Sequence, residues 1–238
     1  DQVVVDEAGQ CLPAYPVTAL YRAKRAAFFG DTHQLQPVST LTEREDIGLL
    51  ESLGRWPAPP WLECARAHRG VSTSAQHLSE RAVGHVHRLR DHFRCVPEII
   101  AISNALCGYS LEVKTPPRAE PPTSPLLARP VSLIPTTGLQ ERSGGSQRNG
   151  AEADHAIDLV ARLVQDGIAP EEIGVLSPYR AQTWLLDRGL RSRGIPVEDW
   201  ELVKGKGGST LPSRVAGVVL GTIHRLQGGE RRVVIFST

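Results

Sequence analysis

The strongest constraint on the fold is a pair of short apolar runs, each ending in a carboxylate. The first, Gln2-Val-Val-Val5, leads into Asp6-Glu7-Ala-Gly-Gln10; the second, Ala26-Ala-Phe-Phe29, leads into Gly30-Asp31-Thr-His-Gln34. Three consecutive valines predict a strand buried on both faces, as in the interior of a parallel sheet. Between the runs, Pro13 and Pro16 precede a helical stretch over 17–23, the crossover that two parallel strands require. Both acidic loops then fall at the carboxyl edge of one sheet, where open α/β sheets bind ligands. A single strand can end in acids simply to stop at solvent, so the pairing of the two loops carries the reading.

These loops resemble the superfamily 1 helicases, whose second motif reads D-E-A-x-Q and whose third reads G-D-x-x-Q-L-x-P-V. Asp6, Glu7, Gln10, Gly30, Asp31, Gln34, Leu35, Pro37 and Val38 all match. The resemblance implies an α/β fold with two RecA-like parallel-sheet domains of a P-loop NTPase, the first truncated, using ATP and Mg²⁺. It assigns Asp6 to the ion through water and makes Glu7 the group that orients and deprotonates the attacking water. Gln34, an amide that both donates and accepts, is suited to sensing the γ-phosphate or that water. Gln10, Gly30 and Asp31 belong to the same nucleotide side.

The later sequence predicts a second α/β unit. Residues 41–82 are irregular and Pro-dense around Trp56-Pro-Ala-Pro-Pro-Trp61, and read as a connection between a first domain at 1–40 and a second at 83–238. Pro97 opens a helix, a favourable place for a residue without an N–H. Residues 131–134 read as a strand, 138–150 as a mobile Gly-rich segment, and 203–212 as a loop. Asn149 is placed to cap an amphipathic helix with Ala153, Ile157, Val160, Ala161 and Val164 on one face. Strands at 173–177, 218–222 and 233–238 alternate with helices, the pattern of a parallel sheet.

Three segments of this second unit continue the resemblance. His92-Phe93-Arg94-Cys95-Val96-Pro97 is similar to the fourth motif, where the Arg reaches the γ-phosphate as an arginine finger. Ser177-Pro178-Tyr179-Arg180-Ala181-Gln182 is similar to a T-P-Y-x-x-Q segment; Pro178, Tyr179 and Gln182 are then candidates for nucleic-acid contact, Tyr179 by stacking on a base. The stretch from Gly221 to Glu230 resembles the fifth motif. It puts Gln227, Gly228 and Glu230 near the nucleotide and Thr222 and His224 on the nucleic-acid backbone, with Leu226 where many relatives have Phe. The set of motifs looks most like the Upf-type branch, which implies travel on single-stranded DNA or RNA.

Composition narrows the alternatives. A net charge of +1 neither requires nor forbids nucleic acid, because a basic groove can sit on a balanced whole. Cys11, Cys64, Cys95 and Cys107 form no C-x-x-C pair, which points to a reduced, cytoplasmic compartment. His85, His87, His92 and Cys95 are close in sequence but match no zinc spacing. Gly205-Lys206-Gly207-Gly208-Ser209-Thr210 lacks the G-x-x-x-x-G-K-[ST] order of a phosphate loop, and the spacing in Asp199-Trp-Glu201-Leu-Val-Lys204 suits a solvated turn better than a nuclease.

The absence of that phosphate loop, of a closing sixth motif, and of any Met predicts a piece of a longer chain whose remainder supplies them. On its own such a piece is expected to be inactive. The expected function is an ATP-driven helicase or translocase. A nucleic-acid-dependent remodelling ATPase that separates no strands, and a binding module that kept the fold, are the alternatives. The intact Asp6-Glu7 pair and Gln34 speak against the binding module.

Overall fold

A computed structural model describes residues 1–53, 73–116, 122–204, 210–226 and 229–238. The chain divides into two compact units. The first comprises residues 1–91 and 104–111, the second 92–103 and 112–238. The stretch expected to connect two domains therefore groups with the first unit as far as it is described. Its Trp56–Trp61 turn and Cys64 lie outside the described residues, as do 117–121.

In the first unit β1 (Gln2–Val5) pairs in parallel with β2 (Arg25–Phe28), in register Val5 to Phe28, across the short helix α1 (Val17–Leu20). The expectation of a strand buried on both faces is not met. Val4 is 66% exposed, because β1 has one neighbouring strand and its outer face carries no covering element among the described residues. Helix α2 (Glu43–Ser52) starts at a capping box: Glu45 N–H donates to Thr42 Oγ1 while Thr42 N–H donates to Glu45 Oε2. Helix α3 (Ala75–Val83) is capped by Ser74 and stopped by Gly84, which takes the left-handed φ of +75° that a Cβ would resist.

The boundary between the units passes through the short strand β3 (Asp91–His92), paired with β4 (Glu112–Val113), and through helix α4 (Pro97–Cys107), which begins at Pro97 as expected.

The second unit is built on a parallel sheet in the order β10 (Val219–Gly221), β7 (Ile173–Leu176), β11 (Val233–Phe236). The central β7 is buried along its whole length, and its apolar run explains that position. Helices α5 (Gly150–Gln165) and α6 (Arg180–Ser192) supply the remaining core. Ile157, Val160 and Leu163 of one pack with Leu186 and Leu190 of the other and with Ile173, Val175 and Leu220 of the sheet. Asn149 caps α5 as its sequence predicted, accepting the Glu152 N–H at 3.2 Å. Ala153, Ile157 and Val160 are buried, whereas Ala161 and Val164 lie only at the core's margin and Leu163 takes the inner place.

Three expectations change here. Residues 131–134 form no strand, and Leu133 is 94% exposed; among the described residues the apolar run finds no strand to share its backbone hydrogen bonds. The Gly-rich stretch read as mobile is a hairpin of β5 (Glu141–Ser143) and β6 (Ser146–Arg148). Gly144 and Gly145, at φ +55° and +79°, make the two-residue turn whose twist suits antiparallel strands. The stretches read as a solvated turn and a loop are largely the antiparallel pair β8 (Asp199–Lys204) and β9 (Thr210–Val215), with residues 205–209 outside the described residues. No helix among the described residues is long and apolar enough to cross a membrane.

Candidate functional site

In the first unit the two acidic loops are stitched together by backbone. Phe29 N–H donates to Val5 O, and Ala8 N–H donates to Phe29 O, each at 2.8 Å. Glycine is required where the loops touch. A Cβ on Gly30 would stand 2.6 Å from Gly9 N, and one on Gly9 would run into the Asp31 carbonyl. Glu7 itself has φ of +50°, and its N–H is taken by Asp6 Oδ1 at 2.9 Å. A left-handed φ is uncommon for a residue that carries a side chain. Helix α3 buttresses the turn from below. Its first-turn donors, Ala75 N–H and Gln76 N–H, find no partners within the helix and bond to Cys11 O and Ala8 O at 2.8 and 3.0 Å.

Side chains complete the cluster. Gln10 Nε2 donates to Glu7 Oε2 at 2.9 Å, fixing the carboxylate expected to act as base. Asp31 accepts from three donors: His33 N–H at 2.9 Å, Gln34 Nε2 at 3.2 Å, and Tyr109 Oη at 2.5 Å. The fold thus gathers Asp6, Glu7, Gln10, Gly30, Asp31 and Gln34 at one sheet edge, with Asp6, Glu7 and Gln34 exposed. Tyr109 and the α3 start were not read from the sequence. Tyr109 lies 78 residues from Asp31, beyond the reach of any local pattern.

This donor set fits one end of a nucleotide. Magnesium keeps most of its water and takes one or two protein carboxylates; Asp6, exposed and with one oxygen turned to the Glu7 N–H, offers that. Among the described residues no group of three or more His, Cys, Asp or Glu side chains could cage an ion. The G-x-x-x-x-G-K-[ST] order of a phosphate loop does not occur in these 238 residues.

In the second unit Arg94 Nε pairs with Glu230 Oε1 at 2.5 Å, joining two residues that the sequence had singled out separately. Both side chains are well exposed, at 65% and 60%, so the pair is weak and exchangeable. Between them they act on Cys95: burial pushes its thiol up, Glu230 adds to the rise, and Arg94 opposes it. The segment around Arg94 is held by Cys95 N–H donating to His92 Nε2 at 2.8 Å and by Thr115 Oγ1 donating to Cys95 O at 2.8 Å.

Pro178 is exposed and Tyr179 half-buried at the end of β7; Thr222 is half-buried and His224 exposed beyond β10. Gln182 is different. It is 1% exposed, and its amide is committed within the unit: Oε1 accepts Asn149 N–H at 2.8 Å, while Nε2 donates to Asn149 O at 3.2 Å and Ser237 Oγ at 3.0 Å. Ser237 in turn donates to Glu152 at 2.9 Å. Gln227 and Gly228 lie outside the described residues. Sequence reading also missed Glu198, which is largely buried and meets the guanidinium groups of Arg214, Arg225 and Arg231.

Comparison with known proteins extends this picture. The family model described as an AAA domain matches residues 72–238. The yeast (Saccharomyces cerevisiae) ATP-dependent helicase NAM7 is 28% identical over 99% of this chain and 21% of its own length. The Arabidopsis thaliana DNA replication ATP-dependent helicase/nuclease JHS1 is 24% identical over 95% of this chain and 18% of its own. The Drosophila melanogaster regulator of nonsense transcripts 1 homolog is 25% identical over 99% of this chain and 18% of its own. The chain thus spans about a fifth of the length of these relatives. With the paired acidic loops and the parallel sheets, it belongs to the AAA domain family, as a RecA-like member of the Upf-type branch of superfamily 1 helicases.

Proposed function

We propose that this chain carries the hydrolytic residues and the arginine finger of an ATP-driven motor that moves on single-stranded DNA or RNA. The observation that supports it best is the loop cluster of the first unit, where Glu7 is steered by Gln10, and Gln34 by Asp31. Mg²⁺, when bound with ATP, would supply charge that offsets the phosphates, and Asp6 is the residue that would hold it. Glu7 takes the proton of the attacking water, with Gln34 orienting that water. Arg94 supplies a fixed guanidinium to the γ-phosphate, exchanging the Glu230 carboxylate for a phosphate oxygen. An exposed ion pair contributes only about 0–1 kcal/mol, so that exchange costs little. Glu230 then lies on the nucleotide side, the role the resemblance also implies for Gln227 and Gly228.

On the nucleic-acid side, Pro178, Tyr179, Thr222 and His224 are the contacts, and the grip rests mainly on phosphates. Gln182 has a structural part there, because its amide is taken up by Asn149 and Ser237. The phosphate loop and the sixth motif come from a part of the protein outside these residues, and the separate 238-residue chain is inactive in hydrolysis. Its thiols suit the cytoplasm.

The test is Glu7→Gln in the full native protein. Nucleic-acid-stimulated ATP hydrolysis should nearly vanish while ATP binding persists, and unchanged turnover would discard the assignment. A strand-displacement assay on the same protein separates a helicase from a remodelling ATPase.

A further inference from the structure

Tyr109 is presented with care for a residue outside every motif. It follows α4 in a loop with left-handed residues on both sides, Gly108 at φ +66° and Ser110 at φ +59°. The second of these is a serine, which gains nothing by itself from that conformation. The loop is closed by Asn104, whose side chain accepts Leu111 N–H at 2.8 Å and donates to Leu111 O at 3.0 Å. A tight, doubly clamped loop thus sets the position of one phenol. That phenol reaches Asp31 Oδ2 at 2.5 Å, and its ring meets His33 edge-on with centroids 5.4 Å apart. Burial first, and then the Asp31 carboxylate, raise the phenol's pKa far above its ordinary value, so the hydroxyl remains a donor.

Asp31 Oδ2 is also the atom that accepts from Gln34 Nε2, at 3.2 Å the longest of the three bonds to this carboxylate. A carboxylate only accepts, so the NH₂ of Gln34 must face it and the amide oxygen is left to meet water. The orientation of Gln34 therefore follows the orientation of Asp31, and Tyr109 is the side chain that fixes it. We propose that Tyr109 is a positioning residue for ATP hydrolysis: through Asp31 it holds Gln34 in its working orientation. The proposal rests on the reading of Gln34 given above.

The experiment uses the full native protein with Tyr109→Phe, Gln34→Ala, the double variant, and Glu7→Gln as a control on the reading itself. Tyr109→Phe keeps the ring and removes one hydrogen bond to a charged group. The expected result is a fall of about tenfold in kcat for nucleic-acid-stimulated hydrolysis, with KM for ATP moving less than about twofold. Because Tyr109 acts through Gln34, the double variant should be no slower than Gln34→Ala alone. A second readout does not depend on turnover: amide hydrogen exchange across 31–35 should speed up in Tyr109→Phe, since His33 N–H also bonds to Asp31. Wild-type kcat in Tyr109→Phe while Glu7→Gln is dead, or multiplied losses in the double variant, would overturn the proposal. Unchanged exchange across 31–35 would overturn it as well. Full activity in Glu7→Gln would instead remove the hydrolytic reading, leaving the exchange measurement to decide whether Tyr109 positions the loop.

Discussion

Replacing Gln182 by Leu separates a structural role from a binding one. The side chain is buried and makes three hydrogen bonds, two to the backbone of Asn149 and one to Ser237. Leucine fills nearly the same volume, so no sizeable cavity opens. What changes is pairing. Asn149 N–H loses its partner, while Asn149 C=O keeps the Ala153 N–H at 3.0 Å and Ser237 keeps Glu152. A buried polar group left unpaired costs about 1–3 kcal/mol, and Asn149 is half-buried, so this one group costs about 1–2 kcal/mol. With a urea m-value of about 3 kcal/mol/M, the midpoint should fall by about 0.5 M. The assay is equilibrium urea unfolding followed by tryptophan fluorescence, with Trp184 on the same helix as a reporter. Nucleic-acid affinity, measured where both proteins are folded, should be unchanged. A midpoint shift below about 0.15 M, or a loss of affinity at unaltered stability, would refute the assignment and return Gln182 to the binding surface.

Two further predictions concern the second unit. A Cβ on Gly189 would run into Ile157 Cδ1, with Cγ1 at 3.2 Å. Gly189→Ala should therefore fail to deliver the helix-propensity gain of about 1 kcal/mol in the wild-type background, yet deliver it once Ile157→Val has removed that methyl. Thermal unfolding of the four proteins checks the change, and equal effects in both backgrounds would refute the packing. Glu230→Gln should leave stability within about 0.5 kcal/mol, because the Arg94 pair is exposed, while lowering the raised pKa of the Cys95 thiol. More thiolate then forms below that pKa, so alkylation of Cys95 at pH 8, followed by peptide mass, should quicken; an unchanged rate would count against the proximity.

What the sequence determined by itself is the part of the molecule governed by short-range rules. Apolar runs ending in Asp6-Glu7 and in Gly30-Asp31 had to become strands delivering carboxylates to one edge, and Asn149 ahead of an apolar stripe had to cap a helix. The glycine pair at 144–145 carried the hairpin signal too, but its polar surroundings masked it. Tertiary structure decided the rest, because it depends on which distant groups meet. Val4 and Leu133 are apolar residues whose exposure reflects the lack of a neighbouring element among the described residues. Gln182, Asn149 and Ser237 are polar residues whose burial depends on finding one another. The same holds for the Tyr109 hydroxyl on Asp31 and the Arg94 guanidinium on Glu230. A hydrogen bond or ion pair is a property of two positions in space, and one position in a sequence holds only half of it.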